Sequence, residues 1–338
     1  MTPPIAPVLV KLAAEIGRLS EAVAKPVDVA ALCITDREGL LPLDPPTTVS
    51  PNRACQLIRT ADDWIALNLA REEDAELLPA WLEADVGPDV WSSVAGLVRG
   101  RGAADLIERA ALLGLPAARA GEVRWEGLEA PTVALGAPQR RRERLRVVDL
   151  SALWAGPMCG AVLAAAAAQV VKVESPRRPD PTRTTAPVFF ERLNGAKQAL
   201  TLDLGTRDGQ ARLRDEVLGA DILVTSARPR AFASLGLEPA EVFAANPGLT
   251  WVAITGYGWT GEAAMRVAFG DDAAAAGGLL GRTVEGEPRF LGDALSDPVT
   301  GLMAAKGALA ALAAGGGVLV DAAMARCAAG AAHALGLA

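Results

Sequence analysis

The chain has 338 residues, of which 51% are hydrophobic and only 4% aromatic. This length is enough for two packed domains, and a net charge of -7 disfavours a nucleic-acid-binding protein, which usually presents a basic face. No uninterrupted apolar run reaches the roughly 20 residues that a membrane-spanning helix needs, so no membrane partner is expected. The first residues lack a basic segment followed by an apolar one, which predicts a protein without a secretory signal and a cytoplasmic location.

The cysteine pattern disfavours both a zinc site and a disulfide framework. The four cysteines are far apart in the sequence and form no CxxC pair. They are expected to be reduced, and no metal site is predicted. They are Cys33, Cys55, Cys159 and Cys327.

The first part of the chain is predicted to form a small α+β domain over residues 1–139. Apolar residues at helical spacing indicate an amphipathic helix over residues 7–24. Residues 55–59 and 64–69 are typical of two strands joined in a hairpin, and further helices are expected up to about residue 114.

A basic segment at residues 140–145 is predicted to be a linker, and a different pattern begins after it. Over residues 146–338, short buried strands alternate with helices, which is typical of an α/β fold. We therefore expect a Rossmann-like, doubly wound and mainly parallel sheet. The predicted strands are 146–150, 170–174, 199–204, 221–224 and 249–254, the predicted helices include 161–168 and 208–218, and a glycine turn is predicted at 155–160.

The predicted turn does not have the pattern of a nicotinamide-binding site. Gly156 and Gly160 lack the third glycine of the dinucleotide motif, and Glu174 is followed by Ser-Pro-Arg-Arg rather than by the usual context of that motif. A nicotinamide cofactor is therefore disfavoured.

Asp297 is the residue most suggestive of chemistry. It precedes Pro298 at the expected start of an alanine-rich helix, where an aspartate commonly caps the helix. A positioned carboxylate is also a competent covalent nucleophile, so both roles stay open. Asp293 is the runner-up, although a turn position is expected for it.

The ordered motifs over about residues 146–325 resemble those of the family III CoA-transferases, also called the CaiB/BaiF family. Each motif is weak alone, but their order and spacing together are specific. They are Val148-Asp149-Leu150-Ser151, Ala155-Gly156-Pro157, Val171-Lys172-Val173-Glu174, Asp180-Pro181-Thr182-Arg183, Asn194 with Lys197, Leu202-Asp203-Leu204, Gly256-Tyr257-Gly258, and Asp297-Pro298-Val299-Thr300-Gly301.

The resemblance implies a homodimeric enzyme that acts on acyl-CoA and carboxylate substrates. In the family, the aspartate at the position of Asp297 attacks the acyl-CoA thioester, and an anhydride and then an aspartyl-CoA thioester form. Glycine turns at residues 277–278 or 315–317 could supply oxyanion donors. The residues expected to bind CoA are Lys197, Arg183, Arg228, Arg230, Trp154, Gly156 and Tyr257.

Two departures from the family pattern affect this interpretation. The segment from Leu57 to about Ala118 resembles the small domain that normally follows the core, so a circularly permuted and shortened chain is predicted. In addition, Ser175, Ser234 and Thr255 stand where relatives often carry basic residues against the nucleotide.

Two alternatives stay open from the sequence. Asp271 and Asp272 stand where the racemase branch of the family carries a His-Asp pair, but Phe269 replaces the histidine and the single histidine, His333, lies near the C-terminus. An acyl-CoA racemase, isomerase or dehydratase would then need aspartate-based proton transfer. The other alternative is a non-catalytic CoA-binding protein.

Overall fold

The structure is a computed structural model and describes residues 4–139 and 144–337. Its strands form three sheets, and they fall where short runs of branched and apolar residues alternate with turns. In chain order the strands are β1 (Cys55–Arg59), β2 (Trp64–Asn68), β3 (Ala117–Arg119), β4 (Thr132–Ala134), β5 (Arg146–Leu150), β6 (Gln169–Glu174), β7 (Gln198–Thr201), β8 (Ile222–Thr225), β9 (Thr250–Thr255), β10 (Gly281–Arg282), β11 (Pro288–Arg289) and β12 (Val318–Ala323).

The helices connect and cover these strands. They are α1 (Ala6–Val23), α2 (Glu72–Glu76), α3 (Leu78–Leu82), α4 (Val90–Val98), α5 (Ala103–Leu113), α6 (Ala155–Ala165), α7 (Thr182–Thr185), α8 (Pro187–Asn194), α9 (Arg207–Leu218), α10 (Arg230–Ser234), α11 (Pro239–Ala245), α12 (Gly270–Ala276), α13 (Ser296–Ala313) and α14 (Met324–Ala334).

The large sheet confirms the predicted α/β fold. Its strand order is β4-β12-β9-β8-β5-β6-β7, in which β4 is antiparallel and every other neighbouring pair is parallel. Without β4 this is the doubly wound order 3-2-1-4-5-6, whose direction reverses between β5 and β8. In such sheets, ligands bind beyond the carboxyl ends of the strands at the reversal, so the loops after β5 and β8 border the expected crevice.

Helices cover both faces of this sheet. On one face, α1, α6 and α13 share a buried apolar core, and α9 and α11 pack on the other. Helix α1 buries Val8, Leu12 and Ile16 at four-residue spacing and packs against α13. Both α1 and β4 precede residue 139 and pack with the large sheet. The domain boundary at residue 139 stays a prediction.

The smaller sheet orders its strands β1-β2-β3, all antiparallel, which confirms the predicted hairpin. One face packs on α3, α4 and α5 around the buried Trp81. We call residues 55–122, which contain this sheet and α2–α5, the small unit, and the rest of the described chain the large unit. The other face of the small sheet contacts the large unit, since Leu57 and Ala66 pack against Ala275 of α12 and against Phe290.

Some predicted boundaries were wrong. Residues 155–160 are not a turn but the first half of α6, and β7 ends at Thr201 rather than residue 204. The glycine in α6 is explained by packing, since a Cβ at Gly160 would lie 2.6 Å from Asp149 Oδ2. The predicted linker falls mostly on residues 140–143, which lie outside the described residues.

Candidate active site

Asp297 lies in the first turn of α13, at the end of that helix facing the loop after β5. Its Oδ1 accepts a hydrogen bond of 3.2 Å from the backbone N–H of Ala155, the first residue of α6. Gly270, at the start of α12, lies so close to Oδ2 that any Cβ there would overlap the carboxylate. Three helix N-termini therefore meet at this side chain, where their dipoles favour negative charge.

Asp297 is partly buried, and its pKa is raised to about 7. Desolvation is the largest cause, and the negative charges of Asp271 and Asp293 add to it. The positive charge of Arg37 and the Ala155 N–H act in the opposite direction. The carboxylate is thus poised to change its ionisation near neutral pH.

Asp293 is not an isolated turn residue, because it belongs to a charged network beside Asp297. Arg37 donates from Nε and Nη2 to the two carboxylate oxygens of Asp293, at 2.8 and 2.9 Å. Asn52 Nδ2 donates to both Asp293 and Asp271, at 2.8 and 2.7 Å. Sequence reasoning missed Arg37 and Asn52, since both lie in an irregular segment that has no periodicity or motif.

The two adjacent aspartates of α12 occupy different environments. Asp271 accepts the N–H of Ala294 at 2.8 Å, and desolvation with the nearby charge of Asp293 raises its pKa to about 6. Asp272 accepts from Asn68 Nδ2 and from the N–H of Phe269, both at 2.9 Å, and desolvation raises its pKa to about 7. Asp272 therefore caps α12, whereas Asp271 belongs to the network beside Asp297.

Trp154 is buried and fixed rather than open to a ligand. Its indole N–H donates to the carbonyl of Ile34 at 2.9 Å, and the Arg37 guanidinium lies 4.7 Å from the ring centroid. Gly156 follows in α6, where a Cβ would overlap Ser151. Both residues shape the loop after β5, which presents the Ala155 N–H to Asp297.

Lys197 does not lie where a nucleotide phosphate could reach it. Its side chain is fully buried, and Nζ donates to Asp149 Oδ2 and to Pro157 O, each at 2.7 Å, and to Asn194 at 2.9 Å. Burial alone would raise the pKa of Asp149, but Lys197 and Lys172 lower it overall. Lys197 instead anchors α6 to β5 in this structure.

The predicted arginines divide into two groups. Arg183 pairs with Glu174 at the end of β6, and its guanidinium lies 4.3 Å from the centroid of the Phe190 ring. Arg228 and Arg230, just after β8, lie near two further arginines that are Arg71 and Arg178. Desolvation and then the charges of these three neighbours lower the pKa of Arg228, as expected for a partly buried cation close to other cations.

This arginine cluster, defined as Arg71, Arg178, Arg228 and Arg230, joins the two units of the protein. Arg71 belongs to the small α+β unit, where it pairs with Asp74 and donates to Gly114 O at 3.0 Å. The Arg71 guanidinium also lies 5.8 Å from the ring of Phe269, the residue before Gly270. Phe269 and Gly270 therefore lie between the cluster and Asp297.

Tyr257, another predicted CoA contact, contacts one side chain of each unit. Its hydroxyl lies 3.2 Å from Glu122 Oε1, and Arg266 stacks over its ring at 3.8 Å. Arg266 also pairs with Glu122. Desolvation raises the pKa of the Tyr257 phenol well above its usual range.

The glycine turns proposed as oxyanion donors lie away from the carboxylate. Residues 315–317 follow α13, whose 18 residues place them about 27 Å from Asp297. Gly277 and Gly278 follow the far end of α12, where Gly277 packs on α14. The N–H that reaches Asp297 is that of Ala155.

Two features of residues 4–139 and 144–337 concern membranes and metals. No helix in these ranges is long and apolar enough to cross a membrane. Nor do they contain three or more His, Cys, Asp or Glu side chains grouped so as to hold a metal ion.

The sequence is similar to several curated transferases. Over 186 residues it is 34% identical to succinyl-CoA–D-citramalate CoA-transferase of Chloroflexus aurantiacus, covering 52% of this chain and 46% of that protein. Over 183 residues it is 32% identical to succinate–glutarate CoA-transferase of Agrobacterium fabrum, covering 50% and 46%. The chain thus spans about half the length of these relatives.

Solved structures and a family profile agree with these matches. A CaiB/BaiF family protein from Brucella suis superposes with a TM-score of 0.52 at 31% identity, covering 56% of this chain and 54% of that one. The sequence model of CoA-transferase family III matches residues 143–334. Because this match spans more than half of the chain, the protein belongs to CoA-transferase family III.

Proposed function

We propose that the protein transfers CoA from an acyl-CoA to an acceptor carboxylate, with Asp297 as covalent nucleophile. The observation that carries the proposal is the position of Asp297, at the meeting point of three helix N-termini beside the reversal of the sheet. Similarity to the two curated transferases supports the reaction class.

In the proposed reaction, an oxygen of ionised Asp297 attacks the thioester carbon and expels the CoA thiolate, which leaves a mixed anhydride. The thiolate attacks the Asp297 carbonyl of the anhydride, so the acyl carboxylate leaves and an aspartyl-CoA thioester remains. An acceptor carboxylate then attacks this thioester, and the thiolate released returns to the acceptor acyl group, which regenerates Asp297. The Ala155 N–H is placed to hold the carboxylate for the first attack.

The arginine cluster is the proposed site for the CoA phosphates. Its side chains come from loops after the carboxyl ends of β6 and β8 and from the small unit. Arginine forms charge-assisted hydrogen bonds with phosphate, which would relieve the repulsion among the four guanidinium groups. This assignment replaces Lys197 and keeps Arg228 and Arg230 from the sequence prediction.

The covalent step is tested by intact-protein mass spectrometry after incubation with a panel of acyl-CoAs. We expect a CoA adduct on the wild-type protein that hydroxylamine removes and that is absent from Asp297→Asn. Asp85→Asn changes an exposed carboxylate of the small unit and serves as the control, with an unchanged adduct. An adduct that persists in Asp297→Asn, or no adduct with any acyl-CoA, contradicts the proposal.

An acyl-CoA isomerase is the second candidate. The observation that favours it is the buried Asp271, whose raised pKa of about 6 suits a general base beside Asp297. Such an enzyme would exchange the α-proton of an acyl-CoA with deuterium from the solvent without forming a CoA adduct. Mass spectrometry of the recovered acyl-CoA from D2O distinguishes the two reactions.

A further inference from the structure

We propose that Arg37 is a positioning residue that keeps Asp297 ionised by placing a guanidinium among three carboxylates. The other two carboxylates are those of Asp271 and Asp293. The inference rests on the proposed function, in which the ionised form of Asp297 is the nucleophile.

The Arg37 guanidinium is held in one orientation by several contacts. It forms a two-point ion pair with Asp293, and the two side chains are only 16% and 9% exposed. Its Cζ atom lies 4.7 Å from the centroid of the Trp154 ring, which is itself fixed by the hydrogen bond to Ile34. A partly buried, two-point arginine pair is screened by water far less than a surface pair.

The same contacts connect Arg37 to both sides of the Asp297 carboxylate. Trp154, under the guanidinium, immediately precedes Ala155, whose N–H donates to Asp297. Asp293, in front of the guanidinium, lies in the turn that leads into α13, where the N–H of Asp297 donates to Ala294 O at 2.9 Å. Arg37 follows a short 3-10 helix, Ala30–Leu32, and it therefore connects this N-terminal segment to the two loops that position Asp297.

Arg37 affects the ionisation of Asp297 because it supplies positive charge beside several carboxylates. Asp297 is faced by Arg37 from the N-terminal segment, by Asp271 from α12, by Asp293 from the turn before α13, and by the Ala155 N–H from α6. Asn52 bridges Asp271 and Asp293 but carries no charge. Without Arg37, three carboxylates would share a partly buried site, and protonation would relieve their repulsion.

Two substitutions should consequently move the pKa of Asp297 in opposite directions. Arg37→Gln removes the positive charge and should raise that pKa by on the order of 1 unit, which lowers the ionised fraction at pH 7 several-fold. Asp293→Asn removes a negative charge and releases Arg37 towards Asp297, so it should lower the pKa. A residue that only supported the fold would not produce opposite shifts.

The pKa of Asp297 can be measured directly by carboxyl 13C NMR on protein labelled at aspartate, with Asp297→Asn identifying the resonance. Arg37→Lys keeps the charge and should stay nearer the wild-type pKa than Arg37→Gln does. Arg53→Gln is the matched control, since Arg53 forms an exposed pair with Asp44 in the same segment. It should leave the Asp297 titration unchanged.

The pH profile of CoA-adduct formation provides the second readout. Its acidic limb should follow the NMR pKa upward in Arg37→Gln and downward in Asp293→Asn. Equal pKa values in wild type and Arg37→Gln, or shifts of the same sign in both variants, overturn the proposal. If Arg37→Gln does not fold, Arg37→Lys and Asp293→Asn test the proposed role of Arg37. An unchanged pKa of Asp297 in Asp293→Asn is then enough to overturn that role.

The titration also separates this proposal from the proposed function. Opposite NMR shifts in proteins that form no CoA adduct would support the role of Arg37 and contradict the covalent transferase. An adduct in the wild-type protein without opposite shifts would support the transferase and overturn the role of Arg37.

Discussion

At the scale of single residues, Asp297 and the buried carboxylates near it make the stability of the folded protein depend on pH. The pKa is raised to about 6 at Asp271 and to about 7 at both Asp272 and Asp297, with desolvation as the largest cause. Between about pH 4 and 7, the folded protein therefore binds protons that the unfolded chain has released. The contribution of these three carboxyl groups to the free energy of unfolding is most favourable below about pH 4, and it is lost as the pH rises through 7.

Asp272 offers the clearest test of this loss of stability with rising pH, because it is completely buried and has no direct contact with Asp297. Within the described residues, its Oδ2 and Asn68 Oδ1 are buried without hydrogen-bond partners. Asp272→Asn keeps the acceptor for Asn68 Nδ2 and the Phe269 N–H and removes the charge. We expect the free energy of unfolding to rise by about 1–3 kcal/mol at pH 8 and to change little at pH 4.

The measurement is urea denaturation at several pH values for the wild type and Asp272→Asn. Asp85→Asn, which alters an exposed carboxylate, should give a curve parallel to that of the wild type. A gain in stability that is equal at pH 4 and pH 8 would contradict an ionisation effect.

At the scale of secondary structure, the crossing of α6 and α13 determines whether the Ala155 N–H reaches Asp297. Gly301 lies at this crossing, one turn after Asp297. A Cβ at Gly301 would lie 2.8 Å from Met158 Sδ and 2.9 Å from the Ala155 carbonyl oxygen. The Met158 side chain can adjust, but the backbone of Ala155 can move only if the two helices separate.

Gly301→Ala should therefore destabilise the protein by about 1–3 kcal/mol. It should also slow CoA-adduct formation at Asp297, because separation of the helices withdraws the Ala155 N–H. Gly96→Ala in α4 is the matched control, since nothing lies within 4 Å of a Cβ at that exposed helical glycine. That substitution should stabilise the protein by about 0.5–1 kcal/mol and leave adduct formation unchanged. Thermal unfolding and mass spectrometry check both variants, and a stable, fully reactive Gly301→Ala would refute the argument.

Helices and strands could be predicted from the sequence far better than the tertiary contacts between them. β5, β6, β8 and β9 fall within about one residue of prediction, because buried parallel strands are short runs of apolar residues between turns. The glycines of α6 were mistaken for a turn, since their packing against Asp149 and Ser151 is tertiary. Arg37 could not be predicted, because its partner Asp293 lies 256 residues away and no local pattern links them.

At the scale of the whole molecule, the arginine cluster draws its side chains from both units of the protein. The two units contact each other through β2, β3 and α12 and through the pairing of Arg266 with Glu122. Arg71 enters the arginine cluster from the small unit, whereas Arg178, Arg228 and Arg230 come from the large one. Binding of a phosphorylated ligand there would stabilise the contact between the units.

This arrangement predicts that CoA affinity depends on arginines of both units. We expect Arg71→Gln and Arg228→Gln each to weaken CoA binding about tenfold or more in calorimetry, because each removes a charge-assisted contact to phosphate. The loss should shrink at high salt, where charges are screened. Arg207→Gln, an exposed arginine at the start of α9, is the control and should bind CoA as the wild type does.

Comparison of CoA with dephospho-CoA identifies the phosphate concerned. If the cluster holds the 3′-phosphate, removal of that group should weaken binding to the wild type but have little further effect in Arg228→Gln. If it holds the pyrophosphate, both ligands should lose affinity equally in the variant. Unchanged CoA affinity in Arg71→Gln and Arg228→Gln would show that the phosphates bind elsewhere, and the four arginines would then stand at the junction of the two units without a ligand role.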